Sequence, residues 1–264
     1  MKLTITLICC LICSSISFSQ KFTKAIEDNS FLIEEAYNQE DRVVQHIFSM
    51  QYLDAESKDV YFDFTQEWPL FGQTSQLSIS LPFTSLASGT AKGIGDAMLN
   101  YRYQFFNKEN WAAVSPRFSL ILPTGNREKG LVDGKLGFEI NLPASKRLSN
   151  DFVVHANAGV TLIPNAIKIL NEEKLFSQYH VGGSLIYLYS YNLNFMIEFL
   201  NSFTTEYDIL GESNLASETI LSPGFRLAID LGNLQIVPGF AFPINLSDEN
   251  SISYFGYLSF EHPF

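Results

Sequence analysis

Cysteine occurs only at positions 9, 10 and 13, charged side chains make up 17% of the chain, and no apolar run of about 18 residues follows position 20. Each scarcity removes a class of protein. Without thiols beyond position 13, residues 20–264 carry no disulfide framework and no cysteine metal site. The missing apolar run excludes a protein that crosses a membrane with helices. A soluble domain has about a quarter of its residues charged, so 17% is low for a surface that faces water all round. The histidines His46, His155, His180 and His262 are far apart in the chain and on different expected strands, so no metal centre is expected from them. Pro123-Thr124-Gly125-Asn126 is a turn signal and lacks the Lys-Ser/Thr pair of a phosphate loop. No cofactor is expected. The net charge of -11 argues against a nucleic-acid partner.

Aromatic residues are abundant instead, with 23 Phe and 12 Tyr, and they recur at every second position. The last stretch shows the pattern well. From Ser251 to Phe264, Ile252, Tyr254, Leu258 and Phe260 fall on one face, and Ser251, Ser253, Phe255, Tyr257, Ser259 and Glu261 fall on the other. About twelve segments of roughly ten residues alternate in this way, from Val43–Asp54 to Ser251–His262, and ten tilted residues cross a hydrocarbon layer. Tight connections such as Leu148–Asn150 and Tyr189–Tyr191 alternate with longer ones such as Pro164–Leu175 and Thr204–Ser217. That asymmetry and the even strand count predict an all-β fold: an antiparallel up-and-down transmembrane barrel of about 12 strands, of the Gram-negative outer-membrane type. Val60, Phe62, Phe64 and Trp68 then face lipid, as do Leu99, Tyr101, Tyr103 and Phe105, and Leu193, Phe195, Ile197 and Phe199. Trp68, Phe83, Phe105, Trp111 and Tyr187 would form interfacial girdles.

The N-terminus reads as an export leader over residues 1–19, with Lys2, an apolar run from Leu3 to Ile12 and a Ser17-Phe18-Ser19 cleavage site. Residues 20–42 form a short periplasmic or lumenal segment and residues 43–264 the barrel. The expected location is the outer membrane. Expected partners are its lipid and lipopolysaccharide, and the barrel-assembly machinery through the terminal Phe264. The negative charge then serves solubility during periplasmic transit.

A family resemblance rests on several stretches. Ile26 through Glu40, with Val43-Val44-Gln45-His46-Ile47, is one. Gly93-Ile94-Gly95-Asp96 followed by Tyr101-Arg102-Tyr103, and Leu120-Ile121-Leu122-Pro123-Thr124-Gly125, are the others. These resemble bacterial outer-membrane proteins labelled "MetA-pathway of phenol degradation" or "transporter". The resemblance implies a barrel that passes small hydrophobic or aromatic molecules. No Asn-Pro-Ala element of the distantly similar fatty-acid and toluene channels precedes the first strand.

The charged residues predicted to face the lumen are Asp63, Glu67, Asp96, Arg102, Arg117, Glu139, His155, His180, Glu198, Arg226 and Asp230. They could form a selective constriction. Their mixed signs favour salt-bridged filling of a narrow bore. A plug centred on Phe31, Glu34, Glu35 and Tyr37 is the sharper reading of the amphipathic stretch from Ser30 to Gln39. Ser30 could cap a short helix there, with Ile33 at the position a capping box gives to Glu, and the plainer reading, a leader preceding the first strand, is favoured. Passive transport is the leading function, and a closed barrel with a structural or surface-interaction role is the alternative. A lipid-modifying enzyme is the weaker alternative. No catalytic residues are expected, since no Gly-x-Ser-x-Gly element occurs and no serine pattern follows His155-Ala156-Asn157.

Overall fold

The computed structural model describes residues 30–53, 58–86, 91–107, 111–126, 129, 131, 134–169, 172–247 and 251–264. The leader read over residues 1–19 lies outside them. Twelve strands occupy the described residues: β1 (Val43–Leu53), β2 (Val60–Leu70), β3 (Ser75–Leu86), β4 (Ala91–Ile94, resuming as Ala97–Tyr103), β5 (Ala113–Val114, resuming as Arg117–Leu122), β6 (Gly137–Arg147), β7 (Phe152–Ile169), β8 (Glu172–Tyr187), β9 (Leu193–Tyr207), β10 (Ser213–Leu227, resuming as Ile229–Leu231), β11 (Leu234–Ala241, resuming as Ile244–Asn245) and β12 (Ser251–Pro263). Each pairs antiparallel with the next, and β12 pairs with β1 from Val43↔Pro263 to Leu53↔Ser253, which closes the barrel. Closure gives each of the described strands a partner on both sides, as a sheet standing in lipid requires.

The two faces are inverted relative to a water-soluble protein. On β9, Phe195, Ile197 and Phe199 are 46%, 44% and 45% exposed, while Asn194 and Glu198 are wholly buried. Apolar side chains outside and polar ones inside require a hydrocarbon solvent. A charge on the outer face is therefore costly. Ile197→Lys is expected to destabilise the barrel by about 2–4 kcal/mol, read as a lowered urea midpoint for protein refolded into vesicles.

The strands extend beyond the predicted segments. β7 runs for 18 residues and β8 for 16, well past the ~10 needed to cross. The expected Pro164–Leu175 loop is thus mostly strand. Pro164 cannot donate to a ladder, but the register shifts between Lys174 and Phe176, so that Pro164, Asn165 and Ala166 bulge out of the pairing. Asn165 takes the left-handed conformation there, at φ 59°. Ile163 and Ala166 pack with Ile121 below the bulge. The Thr204–Ser217 loop shrinks likewise, to the residues between β9 and β10. Trp111, expected at the head of a strand, precedes β5 and is highly exposed, with the Lys146 ammonium 3.8 Å from its ring centre.

Candidate functional site: the barrel lumen

Residues 30–39 lie inside the barrel. They are not helical, and the backbone explains why: the main-chain groups of this stretch are taken up by side chains of the surrounding wall. Glu198 Oε1, on β9, accepts from the N–H groups of Phe31, Leu32 and Ile33 at 3.0, 2.9 and 3.1 Å. Asn157, on β7, pairs with Glu34 in both directions, accepting from its N–H and donating to its carbonyl, each at 2.7 Å. The Ala36 N–H donates to Ser145 Oγ at 2.7 Å, and its carbonyl accepts from Ser115 Oγ and Gln104 Nε2. The Gln39 N–H donates to Gln76 Oε1 at 2.6 Å, and Gln73 Nε2 donates to the Asn38 carbonyl. A segment whose polar groups are met from outside gains nothing from an internal helical ladder. The leader-before-strand reading of Ser30–Gln39 is corrected accordingly, as is the suggested helix at Ser30.

Two guanidiniums organise the charge. Buried Arg102, on β4, donates to Asn38 Oδ1, Glu34 Oε1, Gln76 Oε1 and the carbonyls of Glu35 and Tyr37, and lies 3.4 Å from Glu35 Oε1. Arg117, on β5, reaches Glu34 Oε2 at 2.8 Å and Glu139 Oε1 at 2.6 Å. Asn141 Nδ2 also donates to Glu34 Oε2, and Thr161 donates to Glu139 Oε2. Glu34 is thus held by four wall strands, counting Asn157.

Packing completes the seat. The Phe31 ring lies 5.3 Å from that of Phe255 and 5.4 Å from that of Tyr257, both on the inward face of β12. Inward glycines make the room. A methyl at Gly239 would sit 2.6 Å from Phe31 Cζ, one at Gly224 2.9 Å from Phe31 Cε2, and one at Gly182 2.5 Å from Ile33 Cδ1. All three positions are therefore closed to larger residues while the segment stays in place.

The other predicted lumen residues divide. Asp63 and Glu67, on β2, line an open cavity of about 410 Å³ with Ser49, Ser80, Met98, Asn100 and the segment itself. Asp63 accepts from Thr65 Oγ1 at 2.8 Å. His180 meets Asn141 Oδ1 at 3.3 Å. Arg226 is buried against Gly239. Asp96 stands apart and accepts from the Gly125 N–H at 2.9 Å, while Thr124 Oγ1 accepts from the Ala97 N–H at 2.8 Å. The two sequence motifs around Gly95 and Thr124 are thus hydrogen-bonded partners. Asp230, expected inward, is instead exposed and accepts from Gln235 Nε2. His155 Nδ1 lies 2.6 Å from Ser145 Oγ, a hydroxyl–imidazole contact of the kind used in nucleophilic catalysis. That hydroxyl already accepts the Ala36 N–H, the imidazole packs edge-on to Tyr37, and neither residue lines the cavity.

Glu198 was legible as an inward charge but not as an acceptor for three backbone amides, since main-chain donors leave no mark in sequence. The aromatics Phe255 and Tyr257 on an otherwise polar face were the available signal for a guest inside the barrel.

No protein-family model and no curated protein matches the chain. Among solved structures, an outer membrane channel from Pseudomonas putida F1 is similar at a TM-score of 0.69 and 14% identity, over 89% of this chain and 100% of that one. The NanC porin is similar at a TM-score of 0.51 and 7% identity, over 83% of this chain and 100% of that one. The chain therefore has the fold of an outer-membrane barrel, and these two similar structures are a channel and a porin.

Proposed function

We propose that the protein is an outer-membrane channel whose bore is closed by residues 30–39 and opens when they withdraw. The observation that carries this is the nature of the seat. The segment is held mostly by hydrogen bonds and ion pairs from wall side chains, which water can replace, with apolar packing of Phe31 and Ile33 into glycine-lined recesses and of Ala36 and Tyr37 against Ala113 and His155. The names of the similar structures support a channel. The motifs around Gly95, Arg102 and Thr124 support the finer reading, membership of the phenol-degradation transporter family and passive passage of small hydrophobic or aromatic compounds. On this reading the leader directs export, Phe264 is presented to the assembly machinery, and the apolar belt faces outer-membrane lipid and lipopolysaccharide.

A disulfide tests the gate. The Ala36 N–H contact with Ser145 Oγ sets those residues side by side, and positions 20–264 hold no native cysteine. The double variant Ala36→Cys, Ser145→Cys is expected to be silent in planar bilayers when oxidised and to show conductance steps when reduced. Silence in both states, and again after deletion of residues 20–39, would support the closed structural barrel instead.

A further inference from the structure

Barrel closure brings together two histidines that are 216 positions apart in the chain. His46 is the fourth residue of β1 and His262 is next to last in β12, so both lie near the end of the closing seam. Their neighbours Gln45, Ile47 and Glu261 point into the lumen: Gln45 Nε2 donates to Glu261 Oε1, and Ile47 lines the cavity. Alternation therefore puts both imidazoles on the outer face. There the two rings meet edge to edge through Nε2, with centroids 5.4 Å apart, and the Phe64 ring lies 6.4 Å from His46 on its other side. Their Nε2 atoms are 3.2 Å apart.

The separation and the tautomer both matter. His262 Nδ1 lies 3.1 Å from the Pro263 carbonyl, which can only accept, so Nδ1 carries the proton and the Nε2 lone pair is bare. A carbonyl on the far nitrogen is the partner that metal-bound histidines usually have. Two imidazole nitrogens on one tetrahedral ion, each at about 2.0–2.1 Å, are roughly 3.3 Å apart. The observed 3.2 Å is that spacing.

We propose that His46 and His262 bind a divalent transition-metal ion through their Nε2 atoms, with water completing the coordination, and that the ion staples the first strand to the last. The site is independent of the lumen and of any transport reading.

Cu²⁺ is the probe of choice, because it binds a given nitrogen site most tightly among the divalent ions of the first row. Refolded full-length protein titrated with one equivalent of Cu²⁺ at pH 7.5 is expected to give an electron paramagnetic resonance signal with hyperfine coupling from two equivalent imidazole nitrogens. It is also expected to show a raised thermal midpoint that chelator reverses. Loss of an outer partner alone costs a metal site about 10–100-fold in affinity, so His46→Gln or His262→Gln should weaken binding by at least about tenfold. Both variants keep the seam's backbone ladder, and their midpoints without metal serve as the folding control. A wild-type signal without two-nitrogen coupling, or a midpoint shift that persists in both variants, would overturn the site and leave a hydrogen-bonded pair only.

Discussion

Replacing Arg102 with methionine is expected to unseat residues 30–39 and to destabilise the barrel by about 3–5 kcal/mol, the usual cost of removing one partner from a buried ion pair. Arg102 is 2% exposed and holds Asn38, Glu34, Glu35, Tyr37 and Gln76 in one plane of donors. Its loss would leave the Glu35 carboxylate buried without its guanidinium, and Glu34 dependent on Arg117 alone among the guanidiniums. The least costly response is for the segment to leave and take both carboxylates to water. Arg102→Lys is expected to recover little, because a single ammonium cannot span acceptors that lie on several sides of a planar fork. Denaturant unfolding followed by the fluorescence of Trp68 and Trp111 measures the stability. Planar-bilayer conductance of the same samples measures the seat. Lost stability with an unchanged, silent bilayer would mean that Arg102 supports the wall and does not hold the gate.

How much of this was legible in the chain depends on which partner each residue meets. The lipid-facing side needed no tertiary information, since one solvent imposes one rule on Phe195, Ile197 and Phe199 alike. The inward placement of Arg102, Arg117 and Glu139 followed from the same alternation, and the pairing of Arg117 with Glu139 followed from mixed signs in a narrow bore. The fate of Ser30–Gln39 was harder to read. Its apolar residues suggested a helix, but its polar backbone is satisfied by Glu198, Asn157, Ser145 and Gln76, which are 37 to 167 positions away. Inward glycines at 182, 224 and 239 do not announce in sequence what they face, and they are where Ile33 and Phe31 are received. Pro164 looked like the end of a strand because a bulge that hides a missing N–H depends on the partner's register. His46 and His262 looked remote because only closure of the sheet makes them neighbours.

Glu198→Leu is the companion to the arginine change, and it is expected to free the start of the segment. One carboxylate oxygen serves three successive N–H groups, so its removal orphans all three together. An unsatisfied buried donor costs about 1–3 kcal/mol, and even one such loss converts to a roughly 5–150-fold rise in local amide exchange. Hydrogen–deuterium exchange should therefore show Phe31, Leu32 and Ile33 protected in the wild type and fast in Glu198→Leu, with the β9–β10 ladder still slow. Glu198→Gln separates charge from acceptor. Its amide oxygen can still take the three N–H groups, so most of the protection should return even though the charge does not. Neutral acceptors bind amides less strongly than ionised ones, so the recovery should be incomplete. Should the glutamine and leucine variants exchange alike, the Glu198 oxygen is not what anchors the first residues of the segment. The hold on the gate would then lie with Arg102 and the Phe31 recess.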